Sequence, residues 1–267
     1  MKTFLALRIP RACLAALGLG AALTATSHAA ISLTVPGGTV TETFTTLPPA
    51  TSWSTFGLTG AGGDIAGNAT ADTRIQTLAA GTISGQLGTG ATAGTVVTAA
   101  QSLWYSNGFV GTPPTGTAGS VLLATLTNNT GSTISSLNFT YDLGLMNGNV
   151  ATPEAEFAGH RVYWSLTGAA NSWNAILNPA DPNLTINAGN WGYRGTAGGV
   201  TVQNQNFSLT APVATWAAGT NAFVLWLDDN ALTGTDGLYT LDNIAFTPIA
   251  VPEPTAGLLA LSACGVF

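Results

Sequence analysis

Apolar and polar residues alternate along several stretches of the chain, and this pattern predicts β-strands. In TISSLNFTYDLG, residues 133–144, apolar side chains occupy every second position from Leu137 to Leu143. A period of two places one face of a strand in a core and the other face in water. The preceding stretch, SVLLATLTNNTGS, ends in a turn-forming Asn-Asn-Thr-Gly segment, so the two stretches together predict a β-hairpin.

Further strands are predicted at residues 160–166, 201–209, 221–228 and 237–248, separated by loops of Gly, Asn and Pro. Between the two chain ends no stretch of ten or more residues has a convincing 3.6-residue apolar period, so we expect few helices. This combination predicts an all-β fold, a single antiparallel β-sandwich of jelly-roll type over residues 30–250. Residues 59–98 are rich in Gly, Ala and Thr, which predicts either short outer strands or a mobile flap of the same domain.

The last predicted strand changes its apolar face partway along. Tyr239 and Leu241 share one parity, whereas Ile244 and Phe246 share the other. A β-bulge at Asp242-Asn243 would return both pairs to the core, and Asp and Asn suit such a kink because their side chains bond nearby backbone amides.

The first 29 residues have the composition of a secretory signal peptide. Three basic residues precede an apolar run that ends in Ser27-His28-Ala29, a small-x-small cleavage pattern. We expect signal peptidase to cut between Ala29 and Ala30 and the remaining chain to be exported.

The other end carries a four-residue motif, Val251, Pro252, Glu253 and Pro254, followed by thirteen apolar or small residues up to Phe267. This segment, residues 251–267, resembles the PEP-CTERM sorting signal of exported bacterial proteins, although the terminal arginine cluster of that signal is absent. The resemblance implies recognition by an exosortase-type transpeptidase, transient membrane anchoring, and delivery to the cell envelope or the extracellular polysaccharide matrix. Thirteen helical residues span about 20 Å, less than the roughly 30 Å of a bilayer core, so we expect a short apolar helix.

A second resemblance covers residues 121–247. The series LTNNTGSTISSLNFTYDLG, HRVYWSLTGAANSW and FVLWLDDNALTGTDGLYTLDNIAF is similar to the C-terminal β-sandwich that is common in exported PEP-CTERM and anchor-associated proteins. This resemblance implies the β-sandwich fold and brings no activity with it.

Charge and composition exclude several functions. After leader removal three arginines face twelve Asp and Glu residues, a net charge of −9 that repels nucleic acid. Cys13 and Cys264 lie near the ends, so the body has no disulfide and no Cys/His zinc cluster. His160, the one histidine after the leader, is expected at the surface or at a strand end, and no catalytic-serine elbow, zinc-protease motif or phosphate loop occurs. We therefore predict a non-catalytic protein.

Acidic residues are concentrated around the loop that follows residue 228. Asp228 and Asn230 have the spacing of the start of a calcium loop, and Asp229 and Asp236 lie nearby, but Leu232 and Tyr239 stand where an EF-hand needs oxygen ligands. The simplest interpretation is a polar turn. The alternative is a calcium site built from the three carboxylates and loop carbonyls.

Aromatic residues provide the main candidate for a binding surface. If Phe223 and Leu227 face the core, strand parity turns Trp226 outward, and the same argument turns Tyr163 and Arg161 outward. Trp226 and Tyr163 would then form a platform for sugar rings, with Arg161 beside it to bond hydroxyl groups. The alternative is that a loop or second layer covers both rings.

These patterns favour a structural or adhesive protein of the envelope or matrix. The alternative is a lectin-like module that binds extracellular polysaccharide, with calcium as an optional aid. A secreted glycoside hydrolase is a weaker option, since it would need paired carboxylates across a cleft, and Glu154 and Glu156 lie two positions apart in what is expected to be a solvated turn.

Overall fold

The computed structural model describes residues 30–91, 99–146, 159–177, 205–230 and 238–252. The predicted signal peptide and the predicted apolar helix, together with Glu253 and Pro254, lie outside the described residues. Within them the chain forms the helix α1 (Asn68–Gln76), a 3₁₀ turn (Ala80–Thr82) and the following strands: β1 (Ile31–Leu33), β2 (Val40–Glu42), β3 (Trp53–Leu58), β4 (Gly88–Thr89), β5 (Leu103–Tyr105), β6 (Phe109–Thr112), β7 (Gly119–Asn128), β8 (Ile134–Met146), β9 (Arg161–Ser165), β10 (Asn174–Ile176), β11 (Gln205–Ala211), β12 (Asn221–Asp229) and β13 (Leu238–Ala250).

The strands form two sheets that pack against each other, which confirms the predicted β-sandwich. The six-stranded sheet has the order β1-β7-β12-β9-β10, with β3 also paired to β7. The seven-stranded sheet has the order β11-β8-β13-β6-β5-β4, with β2 also paired to β13. Each sheet contains one parallel pair, β1 with β7 and β4 with β5, and the other pairings are antiparallel. The predicted strand at 221–228 corresponds to β12, and that at 237–248 to β13.

A cluster of aromatic rings fills the space between the sheets. Trp226 of the six-stranded sheet lies 5.9 Å from Phe139 and 6.0 Å from Tyr141 of the other sheet, ring centroid to ring centroid. Trp53 lies 5.9 Å from Trp226, and all four rings are buried. Aromatic side chains of this size contribute most of the apolar area in such a core.

The predicted bulge in the last strand is confirmed. In the pairing of β13 with β8, Asp242 lies opposite Asp142 and Ala245 opposite Thr140, so β13 has one extra residue. Asn243 adopts the positive φ of 49° at this point, and its Nδ2 donates to Asp142 Oδ2 at 2.8 Å. The apolar residues on both sides of the kink are buried as a result.

The predicted hairpin between the two long strands β7 and β8 is wrong, because the strands belong to different sheets. The turn between them leads the chain across the sandwich. Buried Asn128 stabilises this crossing: its Nδ2 donates to the carbonyls of Ser132 at 2.9 Å and Trp216 at 3.0 Å, and its Oδ1 accepts from Thr130 N at 3.1 Å. Each strand buries its apolar face in the same core from opposite sides, so the alternation is satisfied without mutual pairing.

The outer face of the six-stranded sheet is covered by a second layer. Val121, Leu225 and Leu227 lie in a second apolar cluster beneath α1, which contributes Ala71 and Ile75. The described part of residues 59–98 contains the short edge strand β4, of the kind predicted, and also the helix α1, which was not predicted. Two buried residues four positions apart are too few to produce a visible helical period. Neither helical element in the described ranges is long and apolar enough to cross a bilayer.

Candidate functional site

The two rings expected to form a sugar platform lie on opposite faces of the six-stranded sheet. Trp226 is paired with Val162 across the ladder, whereas Tyr163 is paired with Leu225. Trp226 is 0% exposed inside the sandwich, and Tyr163 is 1% exposed under α1. The prediction that Trp226 faces outward is wrong, because its ring lies between the sheets. Tyr163 lies on the outer face as predicted, but α1 covers it, which is the second-layer alternative. Because β12 is apolar on both faces, alternation alone did not show which face is the inner one.

Arg161 is also buried, and it joins β9 to helix α1. Its Nε donates to Asp72 Oδ1 at 3.0 Å and its Nη2 donates to Asp72 Oδ2 at 2.9 Å. The Tyr163 hydroxyl donates to Asp72 Oδ1 at 2.8 Å. A two-pronged arginine–carboxylate pair of this kind is geometrically specific. We call these three residues the helix clamp, since they attach α1 to the outer face of the sheet.

Asp72 raises the pKa of both other residues of the helix clamp. Burial alone would lower the pKa of the Arg161 guanidinium, but the hydrogen bonds and negative charge of Asp72 outweigh it, so the pKa is raised. Burial and the Asp72 charge also raise the pKa of the Tyr163 hydroxyl well above its ordinary value. Arg161 stays charged and Tyr163 stays neutral at physiological pH. The clamp is a structural connection and presents no reactive group.

A buried polar network lies between the sheets at one end of the sandwich. His160 Nε2 is 2.9 Å from Thr112 Oγ1, and Thr112 Oγ1 donates to Asp228 Oδ2 at 2.6 Å. Since the Thr112 proton goes to the carboxylate, its oxygen accepts from a protonated Nε2, which assigns the imidazole tautomer. The His160 ring also meets the edge of the Tyr239 ring at 5.7 Å between centroids.

His160 lies directly before β9, at the strand end that was one of its two expected positions, but the expected surface position is wrong, because His160 is a core residue and 0% exposed. Burial lowers its pKa to about 3, so the imidazole is neutral at physiological pH. Thr112 and Asp228 are 0% and 1% exposed. With all three groups buried, the network joins β6, β9 and β12 internally. It lacks the accessible surface that a general base needs to reach a substrate.

Of the three carboxylates that were predicted as possible calcium ligands, those of Asp228 and Asp229 point away from each other. Asp228 and Asp229 are successive residues of β12, and successive side chains of a strand point to opposite faces. Asp228 is engaged by Thr112 inside the sandwich. Asp236 and Glu154 with Glu156 lie outside the described residues. Within the residues that are described, no three His, Cys, Asp or Glu side chains are close enough together to hold a metal ion.

One open cavity lies on the outer face of the six-stranded sheet, beyond the region that α1 covers. It has a volume of about 260 Å³, and we call it the outer groove. Leu123 and half-buried Phe223 contribute its apolar part, from neighbouring strands. The full lining is Ala50, Thr51, Ser54, Ala80, Gly81, Ile83, Ser84, Leu123, Thr125, Thr167, Gly168, Asn221 and Phe223.

Hydrogen bonds fix both walls of the outer groove. On one side, Ala80 N donates to Gly168 O at 2.7 Å, and Gly168 N donates to Ser165 Oγ at 2.9 Å. On the other side, Gln86 Nε2 donates to Pro48 O at 2.8 Å and Gln86 Oε1 accepts from Ala50 N at 3.0 Å. The walls are thus formed before any ligand arrives.

The sequence did not point to the outer groove. Its lining comes from five separate segments, and the polar part consists of Ser, Thr and Asn, which are abundant throughout this chain. The one local signal is the parity of Phe223 with Asn221 and of Leu123 with Thr125, which places an apolar and a polar residue on the same face of each strand.

The first half of the predicted sorting motif, Val251 and Pro252, follows β13 directly. Val251 is 44% exposed, and its backbone N–H donates to Thr133 O at 3.0 Å. Pro252 is exposed as well. The described structure therefore ends at the surface where the motif begins.

No protein-family model and no curated protein sequence matches the chain. Among solved structures, the K1 cleaved adhesin domain of Lys-gingipain from Porphyromonas gingivalis W83 is similar at 20% identity, covering 79% of this chain and 98% of that domain, with a TM-score of 0.37. The K2 cleaved adhesin domain of Lys-gingipain is similar at 18% identity, covering 79% of this chain and 99% of that domain, with a TM-score of 0.33.

Proposed function

We propose that this chain is an exported, non-catalytic β-sandwich protein with a structural or adhesive role at the bacterial envelope or in the extracellular polysaccharide matrix. The observation that carries the proposal is the internal use of its reactive side chains. His160 and Asp228 are committed to a buried network, and Arg161 to the helix clamp. In the part of the chain that is described they do not gather in an accessible cleft.

The two chain ends support the location. The first 29 residues have the pattern of a signal peptide, and residues 251–267 resemble the PEP-CTERM signal. Val251 and Pro252 are exposed at the end of β13. A motif that starts at the surface is accessible to a membrane transpeptidase without unfolding of the sandwich.

A carbohydrate-binding role is the second candidate, and the outer groove is the observation that favours it. Trp226 and Tyr163 do not contribute to such a site, because both are buried.

The location is tested by replacing Pro252, Glu253 and Pro254 with alanine and expressing the full chain in an exosortase-containing bacterium. We expect the unaltered chain to lose its C-terminal segment by mass spectrometry and to accumulate in the envelope or matrix fraction. The triple variant should stay unprocessed and shift to the membrane or the medium.

Pro212→Ala is the matched control, since Pro212 is an exposed proline far along the chain from the motif. This variant should be processed and distributed like the unaltered chain. Equal processing and distribution of the triple variant and the control would refute the proposed sorting. Release of reducing sugar from a panel of polysaccharides by the purified chain would refute the non-catalytic role.

A further inference from the structure

We infer that the outer groove binds a neutral polysaccharide, seating about one sugar ring over Phe223 with hydroxyl and amide groups around it. This inference deepens the adhesive role proposed above and rests on it. The groove combines an aromatic face with uncharged hydrogen-bonding groups, and a sugar offers the complementary chemistry, since its C–H faces stack on rings and its hydroxyls both donate and accept.

Charge determines the class of polysaccharide. None of the described residues that line the outer groove is charged. Of the arginines in the described residues, Arg74 pairs with Asp64 at 3.6 Å and Arg161 pairs with Asp72 at 2.9 Å. A uronate or phosphate group would lie in the groove without a cation, and an amino sugar without a carboxylate. Desolvating an unpaired charge is costly, so the groove favours neutral sugars.

The polar rim retains hydrogen-bonding capacity. Asn221 Oδ1 accepts from Thr127 Oγ1 at 2.7 Å, which leaves the amide NH₂ group for an acceptor on the ligand. Thr167 Oγ1 accepts from Ala169 N at 3.2 Å and still has its own proton to donate. Below the rim, buried Ser54 donates its Oγ proton to Ile83 O at 2.6 Å and its oxygen can still accept. The outer groove therefore supplies both donors and acceptors.

The Phe223 ring is held in place. Its centroid lies 6.5 Å from that of Trp173, which meets it nearly edge to face. Gly168 packs beside it at a φ of +61°, and a Cβ there would lie 2.8 Å from Phe223 Cε2. Glycine at this position thus lets the wall approach the ring. A fixed ring and fixed walls reduce the ordering cost of binding.

The volume sets the size of the bound unit. At about 260 Å³ the outer groove is smaller than the roughly 300–1,000 Å³ of pockets for drug-sized ligands. Gly81, Ser84, Thr167 and Asn221 at its rim are exposed, so a sugar ring can be seated while the polymer continues into solvent on either side.

The inference is tested with the full chain on immobilised polysaccharides. The neutral probes are dextran, xylan and galactomannan, and polygalacturonate is the acidic probe. We expect binding to at least one neutral probe and none to polygalacturonate. Phe223→Leu keeps an apolar side chain but removes the ring, and we expect about tenfold weaker binding, the upper end of what an aromatic contact adds.

Two further variants keep the test independent of folding. Gly81→Gln places a side chain at the rim, and a Cβ at Gly81 meets no atom within 4 Å, so the fold tolerates it while the groove is obstructed. Asn221→Ala removes the amide. Its matched control is Asn138→Ala, because Asn138 is also an exposed strand residue whose Oδ1 accepts from a threonine, Thr210 Oγ1 at 2.9 Å. Both groove variants should weaken binding at least threefold, and the control should not.

Unchanged binding in Gly81→Gln and Asn221→Ala would overturn the inference, as would stronger binding to polygalacturonate than to every neutral probe. Failure to bind any neutral probe would overturn it as well. These outcomes are separate from the sorting experiment, because processing at residues 251–254 does not depend on the groove. Correct sorting without glycan binding refutes only the inference about the outer groove. Glycan binding without sorting refutes only the proposed sorting.

Discussion

His160 is a titratable residue in the core of the sandwich. It is held neutral by burial, with one ring nitrogen against Thr112 and one face near Tyr239. A charged imidazole at this position would have to be removed from water, and this cost is the reason that burial lowers the pKa of His160. The neutral imidazole therefore packs in the core at neutral pH, and its tendency to take a proton lowers the free energy of unfolding in acid.

The first prediction concerns this loss of stability in acid. The pKa of His160 is about 3 in the folded chain, below the value of about 6.5 for an unfolded histidine. Because the folded pKa is lowered, the unfolded state binds the extra proton first. The contribution of the neutral imidazole to the free energy of unfolding is fully present above pH 6.5 and is lost as the pH falls toward 3. Over that window the free energy of unfolding should fall by about 1.4 kcal/mol per pH unit from this group alone.

The measurement is urea unfolding at a series of pH values for the unaltered chain and for His160→Gln. Glutamine can donate to Thr112 as the imidazole does but takes no proton. Carboxylates contribute equally in both chains, so the difference between the two curves isolates the histidine. Parallel curves between pH 6 and pH 4 would contradict the prediction.

At the scale of elements, the helix clamp explains why a nine-residue helix is stable on this sheet. Helix α1 buries Ala71 and Ile75, has no side-chain cap at its first turn, and is shorter than an isolated helix needs to be. Its attachment therefore depends on tertiary contacts. Asp72 provides the polar part of them through three hydrogen bonds to β9.

The second prediction is that Asp72→Asn loosens α1. The change removes the negative charge that faces the buried Arg161 guanidinium, whose side chain is 6% exposed, while Asp72 itself is 41% exposed. Because one partner is partly in water, we expect a loss of about 1–3 kcal/mol, less than for a fully buried pair. Hydrogen exchange of the amides of residues 68–76 should accelerate more than that of β12.

Asp64→Asn is the control for this variant. Asp64 pairs with Arg74 at 3.6 Å, with the two side chains 44% and 33% exposed, and such pairs near the surface contribute about 0–1 kcal/mol. An effect of Asp72→Asn no larger than that of the control would show that apolar packing alone holds the helix.

At the scale of the whole molecule, the largest apolar cluster in the described residues lies between the two sheets. The body between residues 30 and 250 has no cysteine, so no disulfide assists it. The cluster around Trp226 brings together side chains from β3, β8, β12 and β13. Its rings connect strands that are far apart in the chain.

The third prediction is that Trp226→Ala destabilises the whole sandwich by about 3–5 kcal/mol, the range typical of large aromatic residues removed from a core. Trp164→Ala is the control, since Trp164 lies on the neighbouring strand β9 but is only partly buried at the edge of the same core. Thermal unfolding should show a much larger drop in Tm for Trp226→Ala. Equal drops would contradict the placement of Trp226 at the centre.

Local patterns predicted much of the fold. Strands β12 and β13 begin and end within two residues of the predicted ranges, and the bulge occurs at Asp242-Asn243. These features depend on neighbouring residues alone: alternation defines a strand, and a parity change next to Asp and Asn defines a kink. The helix α1 was missed because its buried stripe comprises two residues.

The candidate site could not be predicted in the same way. Trp226 and Tyr163 were placed on one outer surface, but β12 is apolar on both faces and β9 is covered by a helix that begins more than 80 residues earlier in the chain. The outer groove combines Phe223 with Gly81, Leu123 and Gly168. No local signal joins segments that lie so far apart.

The sequence by itself determined that this protein is an all-β sandwich with a bulged last strand, since backbone alternation and Asp/Asn chemistry act over a few residues. Only the tertiary structure decided which face of each strand is inner, that β7 and β8 belong to different sheets, and that Trp226, His160 and Arg161 are buried. It also assembled an uncharged groove around Phe223. The physical reason is that contacts between distant segments decide which side chains are buried and which residues meet at one site. These contacts are absent from any local sequence pattern.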